Sequence, residues 1–169
     1  HGGRIVKLMG DGALVEFASV VDAVECAVET QRDSAERNVG VPVDRRIEVR
    51  IGINLGDVII EDNDIYGDGV NLAARLEKLA VPGGVALSAA AHEHVTGKVD
   101  IYFKDGGEHE LKNIAKPVRV YLWSEGDPVE RESHIITGTK DTLSIASKPS
   151  IAVLPFKNMS GDSEQEYFA

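Results

Sequence analysis

"RIVKLMGDGALVEF", Arg4 to Phe17, sets the frame for the fold. Ile5, Lys7 and Met9 alternate with Val6 and Leu8 in a period-two run that stops at Gly10-Asp11-Gly12. A second apolar run, Ala13 to Phe17, begins at once. Two such runs joined by a glycine-flanked turn predict a hairpin. Two charges stand out in it: Lys7 interrupts the first strand and Asp11 occupies the tip. Each has a plain structural reading, because an edge lysine discourages aggregation and aspartate suits a turn. Asp11 also has a chemical one. A strand-end loop fixes the backbone while the carboxylate faces outward, and Mg²⁺ takes one or two carboxylates plus substrate phosphates.

Working outward, Ser19 precedes a run in which Val20, Ala23, Val24, Ala27, Val28 and Gln31 share one helical face. Ser19 with Asp22 makes a capping-box-like start, with Asp in the Glu/Gln place. Asn38 to Asp44 reads as a loop. Ile47, Val49, Ile51 and Ile53 then alternate with Arg46, Glu48, Arg50 and Gly52, which predicts a half-buried strand. Gly56-Asp57 turns it into a further apolar run, Val58 to Ile60. "NDIYGDG" reads as a loop, and "VNLAARLEKLA" as a helix stopped by Pro82-Gly83-Gly84. A short buried strand "VALS" and a short helix "AAAHEHV" follow. "VDIYFKD" and "GEHELKN" read as two strands around Asp105-Gly106-Gly107, and Pro117 to Trp123 as another. From Ser124 the chain turns polar and aperiodic, the mark of a linker. "IAVLPF" then reads as the first buried strand of another unit.

Composition narrows the function. The 169 residues are 43% hydrophobic, with 28 acids against 18 bases and a net charge of −10. A surface this acidic does not release counterions from DNA, so no nucleic-acid partner is expected. The apolar runs are too short to span a membrane. The single Cys26 lies among apolar helix positions; it reads as a buried structural thiol and suits a reducing, cytoplasmic compartment. A P-loop is missing. His92 and His94 are two apart and on a helix do not face one another, so they do not read as a metal pair. Trp123 reads as packing.

Asn71 and Arg75 are four apart, on one helical face and one turn from each other. Leu72, Leu76 and Leu79 occupy another face. Two readings stand side by side: a helix-start Asn with a solvated Arg, or a polar pair aimed at an anion. In the second, Arg meets phosphate charge and Asn a sugar or ring oxygen, helped by the positive end of the helix. Asp64, in an acid-rich loop, is by itself a solvated charge.

Taken together, "KLMGDG", "DAVECAVETQ", "VRIGINLGDVI", "DIYGDGVNLAARLE", "PGGVALS" and "LKNIAKPVRVY" resemble the class III nucleotidyl cyclase catalytic domain, over about His1 to Trp123. The resemblance implies a ferredoxin-like α+β fold, an antiparallel-rich sheet with helices packed on it. It implies a head-to-tail homodimer with sites at the interface, in which metal ligands and base readers come from different subunits. Two Mg²⁺ or Mn²⁺ ions would hold ATP and assist attack of the ribose 3′-OH on the α-phosphorus. Asp11 matches a metal-binding aspartate. Lys7 and Asp64 match the pair that reads adenine, Asn71 the residue that positions the ribose, and Arg75 the one that stabilises the transition state. Lys112, in "LKN", matches the lysine on the terminal phosphates. The pattern favours adenylate cyclase; a guanylate cyclase and a non-catalytic dimerisation or nucleotide-sensing module are the alternatives.

The chain opens on "HGGRIV", almost directly on a strand, which reads as the interior of a domain. The family's other metal aspartate and first strand are expected upstream of His1, so the intact parent is expected to be active and the 169-residue chain inactive or nearly so. The predicted organisation is a cyclase domain over 1–123, a linker over 124–149, and the start of a further α/β domain over 150–169. The last segment, "KPSIAVLPFKNMSGDSEQEYFA", resembles the opening of a TolB-like segment of bacterial multidomain proteins, which often precedes tetratricopeptide repeats. With the first strand missing, the sheet would carry a gap or open edge, and "SIAVLPF" is expected to seek a partner by pairing with another chain.

Overall fold

A computed structural model describes residues 1–61, 64–126 and 150–155. The opening hairpin forms as expected, with β1 (Arg4–Met9) antiparallel to β2 (Gly12–Phe17). Gly10 sits at φ 58°, in the left-handed region that this turn requires. Helix α1 (Val20–Arg37) begins where the cap predicts: Ser19 Oγ accepts from the backbone N–H of Asp22 at 3.4 Å. Its buried residues are Val20, Ala23, Val24, Ala27, Val28 and Gln31, the face read from the periodicity.

The central strand is shorter than expected. A 3-10 turn (Val43–Arg45) leads to β3, which runs only over Ile51–Leu55. Side chains of α1 and its cap claim the backbone before it. Asn38 bonds both the N–H and the carbonyl of Ile47, Ser34 donates to the same carbonyl, and Gln31 donates to Val49 O at 3.0 Å. Ile47 is consequently exposed. Next come β4 (Ile59–Glu61) and β5 (Asp64–Tyr66), a separate two-stranded ribbon. The ribbon corrects the reading of "NDIYGDG" as loop. Helix α2 (Asp68–Leu79) follows Gly67, whose φ of 126° only glycine adopts readily. Then come β6 (Gly84–Ser88), α3 (Ala89–Val95), β7 (Lys104–His109), β8 (Val118–Ser124) and β9 (Ser150–Pro155).

Residues 101–103 form no strand, and "GEHELKN" is not a second one. Gly106-Gly107 lies inside β7, at a register shift against β8 between Asp105 and Glu108. Gly107, at φ 82°, lets the bulge form where a hairpin tip was expected. Ile101 and Phe103 reach the core from irregular backbone instead.

The seven-stranded sheet has the order β1-β2-β9-β3-β6-β8-β7, parallel only at β3–β6. Strand alternation sends Ala13, Val15, Phe17, Ile51, Ile53, Val85, Leu87 and Trp123 to the face covered by α1 and α3. Leu14, Ala86 and Val120 point the other way, where Ala73 and Leu76 of α2 meet them. Cys26 is half-buried against the first core rather than fully enclosed. Trp123 packs there as expected, with the Arg32 guanidinium 5.8 Å from its ring.

β9 is the unexpected strand. It lies between β2 and β3, antiparallel to both, from Gly12↔Pro155 to Phe17↔Ser150 and from Gly52↔Val153 to Leu55↔Ser150. The chain thus fills its own gap, where pairing with another chain was expected. Residues 150–155 join the sheet of residues 1–124, although the sequence reading assigned them to a further domain. An apolar extended segment between two open strand edges satisfies both rows of backbone groups. The linker, and 156–169 of the proposed further domain, lie outside the described residues.

Candidate active site

One contact among the expected site residues joins positions 57 apart in sequence. Lys7 Nζ lies 2.8 Å from Asp64 Oδ2, bridging β1 and β5, with both side chains partly buried. Lys7 follows a register shift between Ile5 and Lys7 in β1, and bulges at sheet edges re-aim side chains. Val6 and Met9 pack inward with Ile65 and Leu14, so the apolar cluster beneath the pair seats the ribbon on the hairpin.

Asp64 is held from several directions. The Lys7 ammonium, the Tyr66 hydroxyl and the Ile65 N–H, at 2.7 Å from Oδ1, keep its carboxyl below the ordinary carboxylate range. The Tyr66 ring also lies under the Lys7 ammonium, 5.1 Å from nitrogen to centroid. Reading the segment as loop concealed Tyr66. Strand alternation would have placed it on the same side as Asp64.

Asn71 and Arg75 stand on α2, Asn71 exposed and Arg75 partly so. The helix start is tied to the sheet: buried Asn54 of β3 donates to Gly69 O at 3.2 Å, and the N–H of Asn71 donates to Gly67 O. Gly52 brings α2 onto β3, since a Cβ there would lie 2.3 Å from Ala73 O and from Glu77 N. Asp11 is exposed at the hairpin tip. Its charge reaches Glu77 of α2, a half-buried carboxyl pushed up chiefly by burial and, in smaller part, by Asp11. Lys112 lies apart on the loop between β7 and β8, exposed, in the turn closed by Ile114 N to Leu111 O.

Among the described residues, one group with ion-holding spacing emerges, His1 with Asp22 and Glu25, and it includes none of the expected site residues. His92 is occupied otherwise. It stacks on Tyr121 with centroids 3.6 Å apart and planes at 4°, and burial pulls its pKa down. No helix among the described residues is long and apolar enough to cross a membrane.

An α+β sheet carrying this helix and hairpin is the fold of nucleotidyl cyclases, and the chain belongs to that family: residues 6–125 match the adenylate and guanylate cyclase catalytic domain. The chain is 54% identical, over all its 169 residues, to a Rhizobium meliloti protein named "Putative adenylate cyclase 3", and it spans 28% of that relative's length. A solved adenylate/guanylate cyclase/hydrolase from Silicibacter pomeroyi superposes with a TM-score of 0.71 at 43% identity, over 74% of each chain. The guanylyl cyclase Cya2 superposes with a TM-score of 0.58 at 27% identity, over 76% of this chain and 73% of that one. Cyclases of this class are generally dependent on divalent metals.

Proposed function

We propose that this chain is the catalytic domain of an adenylate cyclase, a phosphorus–oxygen lyase that converts ATP to 3′,5′-cyclic AMP and pyrophosphate. The observation that carries the reading is the Lys7–Asp64 pair at 2.8 Å. Adenine offers a ring-nitrogen acceptor beside an amino donor; lysine donates to the first and aspartate accepts from the second. Guanine reverses the pattern, setting a protonated nitrogen against the ammonium and a carbonyl against the carboxylate. Each such mismatch, left unpaired and buried, costs about 1–3 kcal/mol.

In the reaction the ribose 3′-oxygen bonds to the α-phosphorus, the bond to pyrophosphate breaks, and the 3′-OH proton departs. Asn71 would hold the ribose. Arg75, one turn further along α2, would meet the charge that builds on the α-phosphate. Lys112 would take the terminal phosphates. Asp11 presents a hard oxygen donor on an outward turn, which fits Mg²⁺ or Mn²⁺ shared with a triphosphate. Such an ion, when bound, neutralises phosphate charge and favours loss of the 3′-OH proton. A two-ion set would need a second carboxylate beside Asp11. In the proposed homodimer, base readers and metal ligand of one site come from different protomers.

The test is cyclic AMP production by the intact protein with Mn²⁺, compared with Asp11→Ala and Arg75→Ala. Each substitution is expected to lower kcat about a hundredfold or more. Undiminished activity in either variant overturns the assignment. The likeness to a guanylyl cyclase makes GTP the competing substrate, and GTP turnover exceeding that of ATP would favour it.

A further inference from the structure

The acceptor capacity of Asp64 is almost filled. An ionised carboxylate has about four lone-pair positions. Oδ1 takes the Ile65 N–H at 2.7 Å, Oδ2 takes the Lys7 ammonium at 2.8 Å, and the Tyr66 hydroxyl supplies a third donor. Room remains for a further N–H. Lys7, with three N–H groups, spends one on Asp64 and presents its charge to the Tyr66 ring at 5.1 Å.

Tyr66 therefore touches both members of the pair with different parts of one side chain. The hydroxyl reaches the carboxylate and the ring face reaches the ammonium. Its position follows from β5, since Asp64 and Tyr66 are two apart on a strand and project to the same side. β4 supports that strand, with Ile59 opposite Tyr66 and Ile60 opposite Ile65. Buried Ile65, pointing to the other side into the cluster with Leu14 and Ala73, anchors the ribbon. Tyr66 itself is 49% exposed, so filling a core is not what its ring does there.

We propose that Tyr66 is a positioning residue for base selection, bracing Lys7 and Asp64 so that an acceptor on the carboxylate and a donor on the ammonium stay aligned for an aminopurine edge. This deepens the adenylate cyclase reading and rests on Lys7 and Asp64 being the base-reading pair. The hydroxyl limits rotation of the carboxylate and keeps it an acceptor. The ring restricts the flexible lysine stem, which otherwise samples many rotamers. With the brace loosened, carboxylate and ammonium rearrange more easily around a guanine edge, and discrimination narrows.

The variant that separates the two contacts is Tyr66→Phe, which keeps the ring and removes the hydroxyl. Tyr66→Leu removes both. Half-exposed Tyr66 can be replaced without opening the core, and thermal melts of each variant check this. In the intact protein, Tyr66→Phe is expected to raise the KM for ATP about two- to tenfold, the worth of one ordinary hydrogen bond. The effect on kcat is expected to be smaller, and the ratio of kcat/KM for ATP over GTP falls. Tyr66→Leu is expected to move the ratio further. The second readout needs no nucleotide. Carboxyl NMR titration of the 169-residue chain is expected to show the Asp64 pKa rising in Tyr66→Phe toward its unperturbed value. An unchanged Asp64 titration overturns the brace. A shifted titration with an unchanged ATP-to-GTP ratio overturns its role in selection. Failure of the unsubstituted intact protein to use ATP overturns the reading of the site beneath it, while the titration still decides the brace.

Discussion

Lys7 shows how much one contact alters the meaning of a residue. As an edge-strand lysine it is a defence against pairing. With its ammonium 2.8 Å from Asp64 and over the Tyr66 ring it is instead tied to a second element, and in the proposed reading it is half of the base-reading pair. His92 is the opposite case, a titratable group placed for packing. Stacked on Tyr121 and edge-on to Phe103, it is held neutral by burial, with its pKa below 6.5. In the unfolded chain the imidazole protonates freely near its ordinary value of about 6.5. Below that pH the unfolded state binds the extra proton first, so stability falls as pH drops from about 6.5 toward the lower folded value. Denaturant midpoints of the 169-residue chain are therefore expected to decline from pH 7 to pH 5. His92→Phe, which keeps a ring against Tyr121, is expected to flatten that slope; an equally steep slope in the variant places the titration elsewhere.

Helix α2 carries Asn71 and Arg75, and its seat depends on one missing side chain. At Gly52 of β3 a Cβ would fall 2.3 Å from two backbone atoms of α2, so helix or strand would have to shift. Gly52→Ala is expected to cost about 1–3 kcal/mol or more, as overpacking does, and to lower activity by displacing Arg75. Urea unfolding together with kcat measures both; a variant with wild-type midpoint would show that the two backbones separate easily. α1 was readable because an 18-residue amphipathic helix repeats its signal over several turns and starts at a side-chain cap. The β4–β5 ribbon was not. Three residues per strand, flanked by Gly and Asp, carry too little alternation to distinguish a strand from a loop, and the Asp64–Tyr66 relation was lost with it.

For the molecule as a whole, the slot between β2 and β3 is the decisive feature. β9 pairs with both neighbours and makes the sheet continuous from β1 to β7. Removing residues 150–169 from the 169-residue chain is expected to lower its Tm and to expose the amides of Gly12–Phe17 and Gly52–Leu55 to hydrogen exchange. Unchanged melting and protection would show that the slot does not depend on this strand. The division into a cyclase domain over 1–123, a linker over 124–149 and a further α/β unit over 150–169 remains our proposal. Local and compositional features were legible in the amino-acid order: the hairpin turn, the buried face of α1, the Asn71–Arg75 spacing and the acidic balance. Through family resemblance the sequence also named Lys7 and Asp64 as partners. Three-dimensional packing settled which strand lies between β2 and β3, where β3 starts, and that Tyr66 closes on the Lys7–Asp64 pair. Strand pairing is made by backbone groups that every residue carries, so the side-chain pattern marks a segment as a strand without naming its neighbour. A contact between residues 57 apart exists only once those neighbours are chosen.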